Sequence, residues 1–209
     1  MTKMSKPLSS RWLVWLFFLS GMAAIIYQIA WQRVLFTSFG VNIESVTIIV
    51  SVFMFGLGVG SLLGGQLSKK YFDTLPHIFL ILEIVIGAFG LISMPLIKWV
   101  TLGTLHMPLL VLPLVIFGIL AVPTMAMGAT LPILVAYLHR KTHLVGQSVS
   151  TLYSMNTLGS ALSCFLTVIV LFRFLNLSTT ILFAALINFT VGYLVFRYMR
   201  ELKKAGAAP

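Results

Sequence analysis

Long apolar runs, separated by short polar connections, occupy most of the sequence from residue 12 onward. Each run has about 20 mostly apolar residues or more, the length that an α-helix needs to cross a bilayer. The first run is too long for the apolar core of a signal peptide, and no small-x-small cleavage site ends it, so we interpret it as an uncleaved span. The pattern predicts an all-α membrane domain, 12–197, between an N-terminal tail, 1–11, and a basic C-terminal tail, 198–209, with six spanning helices at 12–36, 45–67, 76–97, 108–138, 147–172 and 178–196.

The fourth run is too long for one straight crossing, and it contains Pro113, Pro123 and Pro132. Proline lacks the backbone N–H and clashes with the preceding turn, so it kinks or breaks a helix when it lies in the interior. We therefore expect a kinked or broken fourth helix, with an irregular segment between Pro123 and Pro132.

The composition excludes a soluble protein. Hydrophobic residues make up 59% of the 209 residues, charged residues only 9%, and the mean hydropathy is +1.06, whereas a soluble domain has about 25% charged residues. The net charge of +10 lies in the gaps between apolar runs, where it would face an anionic lipid surface. The expected partner is therefore the lipid bilayer and not nucleic acid.

The distribution of Lys and Arg predicts the orientation. On one side of the predicted bundle lie only Arg33, Lys98 and Arg173. Because positive residues accumulate on the cytoplasmic side, this bias predicts that both termini are cytoplasmic in the inner (plasma) membrane. The other side carries eleven such residues: Lys3, Lys6, Arg11, Lys69, Lys70, Arg140, Lys141, Arg197, Arg200, Lys203 and Lys204.

Small residues recur at a spacing of four in two of the predicted helices. Helix 2 has Gly56, Gly60 and Gly64, and helix 5 has Gly159 and Ser163. Such residues share one helix face and let a neighbouring backbone approach closely. A phosphate-binding glycine loop would need a preceding strand and a soluble helix after it, which an apolar span does not offer. We interpret both sets as helix-packing positions.

Glu83 is the acid that lies well within an apolar run, about 10 Å below the cytoplasmic boundary at 1.5 Å per residue. An acid at that depth is costly and usually faces the bundle interior, a cavity or a partner. It could be a cation or proton site, or a protonated structural acid with hydrogen-bonded neighbours, and both interpretations remain open. Counting along the other helices to the same depth gives a shared polar layer of Ser20, Ser61, Thr130, Ser154, Asn156 and Asn188.

The outer half of helix 1 carries a second polar group, with Tyr27, Gln28, Trp31, Gln32 and Arg33. Gln28 and Gln32 are four residues apart and share a face, and Trp31 suits the membrane interface. Arg33 could extend to the outer surface as a simple anchor or contact a ligand, and the sequence favours neither.

No catalytic pattern is present among these residues. The sequence has no nucleophile elbow, no zinc motif and no paired carboxylates, and its four histidines show no metal-ligand spacing with other donors. We therefore expect a protein that is not an enzyme and that holds no metal or cofactor.

Four segments resemble one membrane-protein family: FLSGMAAIIYQIAWQRVL, FMFGLGVGSLLGGQLS, MGATLPIL and LYSMNTLGSAL. In this order they are similar to the membrane domain of the spermidine-synthase-like membrane proteins, which fuse a major-facilitator-like domain to an aminopropyltransferase-type domain. The resemblance covers residues 17–171 and implies a helical bundle with major-facilitator-like topology. It also implies that the family's motif positions are Tyr27, Gln28, Trp31, Gln32, Arg33, Gly128, Thr130, Pro132, Tyr153, Asn156, Thr157 and Gly159.

Three departures from this family limit what the resemblance implies. The sequence ends at Pro209 without the soluble domain, so we expect no aminopropyl transfer by this chain. After helix 2, Lys69 stands where the major-facilitator signature has an acid. Six spans also make only half of a transporter whose substrate binds between two six-helix halves.

Two functions remain open from the sequence. The first is a transporter-like bundle for a small polar or cationic, polyamine-like solute near Glu83. The alternative is a membrane anchor or accessory subunit for a separately encoded soluble or membrane protein. Either function is expected to involve a homo-oligomer or a hetero-complex.

Overall fold

The computed structural model describes residues 10–39, 43–104, 106, 108, 111–142 and 144–204. Within these residues 96% are helical and none lies in a strand. The six predicted helices are confirmed, and all six are long and apolar enough to cross a membrane. The chain is therefore a multi-pass helical membrane protein. Lys3 and Lys6, and positions 205–209 of the predicted C-terminal tail, lie outside the described residues.

The helices extend beyond the predicted spans at most of their ends. The last helix continues to Lys204, through the first residues of the predicted C-terminal tail. The fifth helix is followed by a π-helical segment, Thr167–Leu171, and one further helical turn, Phe172–Phe174. In chain order the helices are α1 (Ser10–Phe39), α2 (Ile43–Lys70), α3 (Leu75–Gly103), α4 (Val111–Thr142), α5 (Val145–Leu166) and α6 (Leu177–Lys204).

Of the two predicted forms of the fourth helix, kinked or broken, the broken form is wrong, because α4 runs continuously through Pro123 and Pro132 without an irregular segment. Hydroxyl groups beside the prolines bond to carbonyls of the preceding turn. Thr124 Oγ1 donates to the Leu120 carbonyl at 2.8 Å, and Thr130 Oγ1 donates to the Met127 carbonyl at 2.6 Å. Neighbouring helices allow proline inside membrane helices, and α4 packs closely against α2 and α3. A bend at the prolines stays a prediction.

Helix α1 lies at the centre of the bundle. Its most apolar stretch is 61% buried, whereas that of α5 is only 17% buried. The closest helix pairs are α2 with α4, α1 with α5 and α3 with α6, and α1 also packs against α6. A central helix has neighbours on several sides, and the polar or amphipathic side chains of Ser20, Tyr27 and Trp31 are accordingly buried in helix contacts.

The connections that carry most of the positive charge lie at one end of the bundle. Arg140 at the end of α4 forms an ion pair with Asp73, between α2 and α3, at 3.5 Å. The hydroxyls of Tyr137 and Tyr198 lie 3.2 Å apart, which brings the ends of α4 and α6 together. The rings of Trp12 and Tyr198 have centroids 5.6 Å apart, which places the start of α1 at the same end of the bundle.

The glycines of α2 lie directly against α4. A Cβ atom on Gly56, Gly60 or Gly64 would collide with α4, and at Gly60 the obstacle is the backbone of Met125. On the other side of the contact, a Cβ on Gly128 would meet the backbone of α2. Backbone packed on backbone leaves no room for a side chain, which is why this face of α2 consists of glycine.

Candidate functional site

Glu83 lies on the face of α3 that packs into the bundle. Ile86, Gly87, Gly90 and Ser93 follow it three, four, seven and ten residues later, and all five are buried. These spacings place the residues along one side of an α-helix. Glu83 itself has no solvent-exposed surface, so its carboxyl group lies inside the bundle.

Two other helices provide the hydrogen-bond donors for this carboxyl group. Ser20 of α1 donates to Oε1 at 2.6 Å, and Asn188 of α6 donates to Oε2 at 2.7 Å. We call Ser20, Glu83 and Asn188 the carboxyl triad. No Lys, Arg or His among the described residues lies within salt-bridge distance of Glu83, so a negative charge there has hydrogen bonds but no cation.

Two polar atoms around Glu83 have no hydrogen-bond partner within the described residues. They are Oδ1 of Asn188 and the hydroxyl group of Tyr27, and both are buried. The Tyr27 ring lies against Gly90, two turns beyond Glu83 on the same buried face of α3. Buried polar groups without a partner are uncommon in native proteins and point to a group that binds there or moves.

A cavity of about 240 Å³ adjoins the carboxyl triad. Ser20 and Asn188 belong to its wall, and Glu83 lies directly behind them. Ser61 and Tyr153 are exposed on the outside of the bundle, so the cavity reaches the surface between α2 and α5. The wall contains hydroxyls, amides and apolar side chains but no carboxylate and no Lys, Arg or His: Phe17, Ser20, Ala24, Leu57, Ser61, Ile86, Met127, Gly128, Thr130, Leu131, Tyr153, Asn156 and Asn188.

The predicted polar layer is divided between the triad and the cavity wall. Asn156, Ser61 and Thr130 line the cavity with Asn188, while Ser154 is exposed on α5. The members of the layer that donate to the Glu83 carboxyl group are Ser20 and Asn188.

Beyond the carboxyl triad, toward the other end of the bundle, α1 and α3 make further contacts through polar and small residues. The Tyr27 ring lies against Gly90, where a Cβ would collide with it. Trp31 Nε1 donates to Ser93 Oγ at 3.0 Å, and the Tyr27 and Trp31 rings stack at 5.0 Å. Sequence reasoning missed Gly90 and Ser93, although Gly87, Gly90 and Ser93, spaced by three along α3, were a signal for a close helix contact.

The remaining polar residues of α1 lie away from the triad. Gln28 and Gln32 are half-buried and do not line the 240 Å³ cavity. Arg33 is exposed, and its guanidinium group lies 4.2 Å from the centre of the Phe172 ring, beside a separate cavity of about 440 Å³. This cation–π contact holds Arg33 beside Phe172, just after the π-helical segment, so it does not compensate Glu83.

Helix α5 meets α1 through small residues. A Cβ on Gly159 would meet the Phe18 carbonyl, and one on Gly21 would meet Asn156. Ser160 Oγ donates to the Gly21 carbonyl at 3.2 Å. Ser163 is fully buried on the same side of α5, while Thr157 is exposed. The Asn156 side chain thus packs at a helix crossing and also faces the cavity.

Metal ligands and relatives give no further assignment. Within the described parts of the chain, no three His, Cys, Asp or Glu side chains come together as a metal site would require. Comparison with protein-family models, with curated proteins and with solved structures found no match. The function must therefore be argued from the carboxyl triad and its cavity.

Proposed function

We propose that this protein is a non-catalytic, transporter-like membrane protein that binds a small organic cation beside Glu83. The observation that carries the proposal is a fully buried carboxyl group with two hydrogen-bond donors and no cation partner among the described residues. A buried charge without a partner is strongly unfavourable, and acids inside membrane helices commonly mark solute or ion pathways. A bound cation would supply the missing partner.

The cavity beside the triad favours a small solute. Its volume of about 240 Å³ equals the space of about eight water molecules at about 30 Å³ each. Its hydroxyl and amide groups can bond to ammonium hydrogens, and the exposed ring of Tyr153 offers a face to a cation. A slender polyamine-like ammonium compound meets these requirements, in keeping with the resemblance of the α1, α2, α4 and α5 motifs to spermidine-synthase-like membrane proteins.

We further propose that both termini face the cytoplasm, with the protein in the inner (plasma) membrane. The positively charged connections converge at one end of the bundle, around the Arg140–Asp73 and Tyr137–Tyr198 contacts. Positive residues of multi-pass proteins remain on the cytoplasmic side. In this orientation the carboxyl triad lies in the cytoplasmic half of the bundle, and Arg33 lies near the outer surface.

Uptake of labelled putrescine into liposomes that contain the purified protein tests the proposed transport. The wild-type protein should accumulate label above protein-free liposomes, and Glu83→Gln should lose this uptake because it keeps the side chain's size and removes its charge. Glu201→Gln is the matched control, since Glu201 is an exposed acid at the end of α6 with an ion pair to Arg197 at 3.6 Å. Equal uptake by Glu83→Gln and wild type, with both proteins folded, would contradict the proposal.

A second candidate function is a membrane anchor or accessory subunit. The observation that favours it is the outer surface of α2 and α5, where Tyr153 is 59% exposed. Gly58 and Gly65 also face open space, because a Cβ at either position would have no atom within 4 Å. Polar and small residues on a membrane-facing surface are typical of helix–helix contacts with another chain.

Native mass spectrometry of the protein extracted from its own membrane distinguishes the two candidates. A hetero-complex with a separate soluble or membrane protein, together with no putrescine uptake, would favour the subunit. A monomer or a homo-oligomer that takes up putrescine would favour transport.

A further inference from the structure

We infer that the carboxyl triad exchanges a proton for the bound cation, so that Glu83 is protonated when the cavity is empty and releases its proton when an ammonium group binds. The inference deepens the proposed function and rests on it. It adds the ion that moves in the opposite direction and the residues that hold it.

The surroundings of Glu83 contain no fixed positive charge among the described residues. The titratable side chains around it within the described residues are the phenols of Tyr27 on α1 and Tyr153 on the cavity wall, and α6 contributes the neutral Asn188. None of these groups supplies a positive charge. The carboxyl group therefore stays neutral with a proton, or it becomes charged when a cation enters.

The hydrogen bonds of the triad suit both states of the carboxyl group. With Glu83 charged, Asn188 Nδ2 donates to Oε2 at 2.7 Å and Ser20 Oγ donates to Oε1 at 2.6 Å. With Glu83 protonated at Oε2, rotation of the Asn188 amide brings Oδ1 to accept that proton. Oδ1 has no other partner among the described residues, so the rotation breaks no existing bond of that atom.

The exchange balances in atoms and charge. The O–H bond of the Glu83 carboxyl group breaks, and the proton leaves to water that enters the cavity. One ammonium group of the solute takes its place beside the carboxylate. The net charge of the carboxyl group and its bound proton or ammonium group is zero before and after, so Glu83 itself never carries an uncompensated charge.

Titration calorimetry of the purified protein with putrescine measures both parts of the inference. The titration gives the Kd of putrescine. Repeating it in a second buffer with a different heat of ionisation gives the number of protons released. We expect about one proton released for each carboxylate that gains a cation. 1,4-Butanediol, which has the length of putrescine without its charges, should neither bind measurably nor release protons.

The outcomes separate this inference from the proposed function. Putrescine binding without proton release would overturn the exchange and leave the cation site standing, while no binding by the wild-type protein would overturn both. Glu83→Gln should release no proton, and Glu201→Gln should behave as wild type. If Glu83→Gln does not fold, the wild-type titration in two buffers still decides the matter, because proton release is measured without any variant.

Discussion

Gly60 gives the sharpest test of how α2 packs against α4, because the obstacle beside it is backbone. A Cβ on Gly60 would lie 2.8 Å from the carbonyl carbon and 2.9 Å from the Cα of Met125. Non-bonded carbon atoms prefer about 3.5–4.0 Å, so the helices must separate by about 1 Å even for a methyl group. Backbone atoms cannot rotate away as a flexible side chain would. The substitution Gly60→Leu should therefore push α4 outward.

The expected loss of stability in Gly60→Leu follows from the same distances. A gap of about 0.5–1 Å removes about a quarter to a half of the dispersion attraction between facing atoms. Overpacked substitutions cost about 1–3 kcal/mol, and for a chain of this size each kcal/mol lowers Tm by about 2–4 °C. Gly60→Leu should thus lower Tm by about 2–12 °C and reduce the yield of folded protein in detergent.

Gly58 provides the matched control two residues away on the same helix. It is exposed, and a Cβ there would meet no atom within 4 Å, so Gly58→Leu gains the same helix propensity without a collision. Thermal unfolding followed by tryptophan fluorescence, together with size-exclusion chromatography, compares the two variants. Equal Tm and equal yield for Gly60→Leu and Gly58→Leu would refute the packing argument.

Two further predictions concern topology and a buried hydrogen bond. In a background without Cys164, a cysteine at Thr104 should react with a membrane-impermeant reagent in intact cells and one at Lys204 should not; the reverse pattern would contradict cytoplasmic termini. Ser93→Ala should lower stability by about 0.6–2 kcal/mol, because the Trp31 N–H loses its acceptor. A double-mutant cycle with Trp31→Phe in thermal unfolding should show coupling, and additive effects would contradict the bond's contribution.

The helices could be predicted from the sequence because each one needs about 20 consecutive apolar residues to cross a membrane. Such long runs are easily recognised between the short polar connections of this chain. Counting residues along each run also gave the depth of Glu83, and the structure places Ser20 and Asn188 at that depth. Depth depends only on the rise per residue and on the direction of each helix. Both quantities follow from the order of the spans.

The contacts within a layer could not be predicted, since they depend on how each helix is rotated about its axis. Asn156 and Asn188 lie at similar depth, yet Asn188 bonds to Glu83 and Asn156 packs against Gly21. The sequence also left open whether α4 is kinked or broken. Sequence rules for proline describe helices in water, whereas α4 packs against α2 and α3 here, and neighbouring helices allow proline inside a membrane helix.

Binding of putrescine to the purified Glu83→Gln protein, compared with wild type and with Glu201→Gln by titration calorimetry, tests the central claim most directly. Loss of one partner from a buried charge pair costs about 2–5 kcal/mol, which corresponds to a Kd increase of about 30-fold or more. We predict this increase for Glu83→Gln and an unchanged Kd for Glu201→Gln. A folded Glu83→Gln protein that binds putrescine as tightly as wild type would contradict the claim that Glu83 forms the cation site.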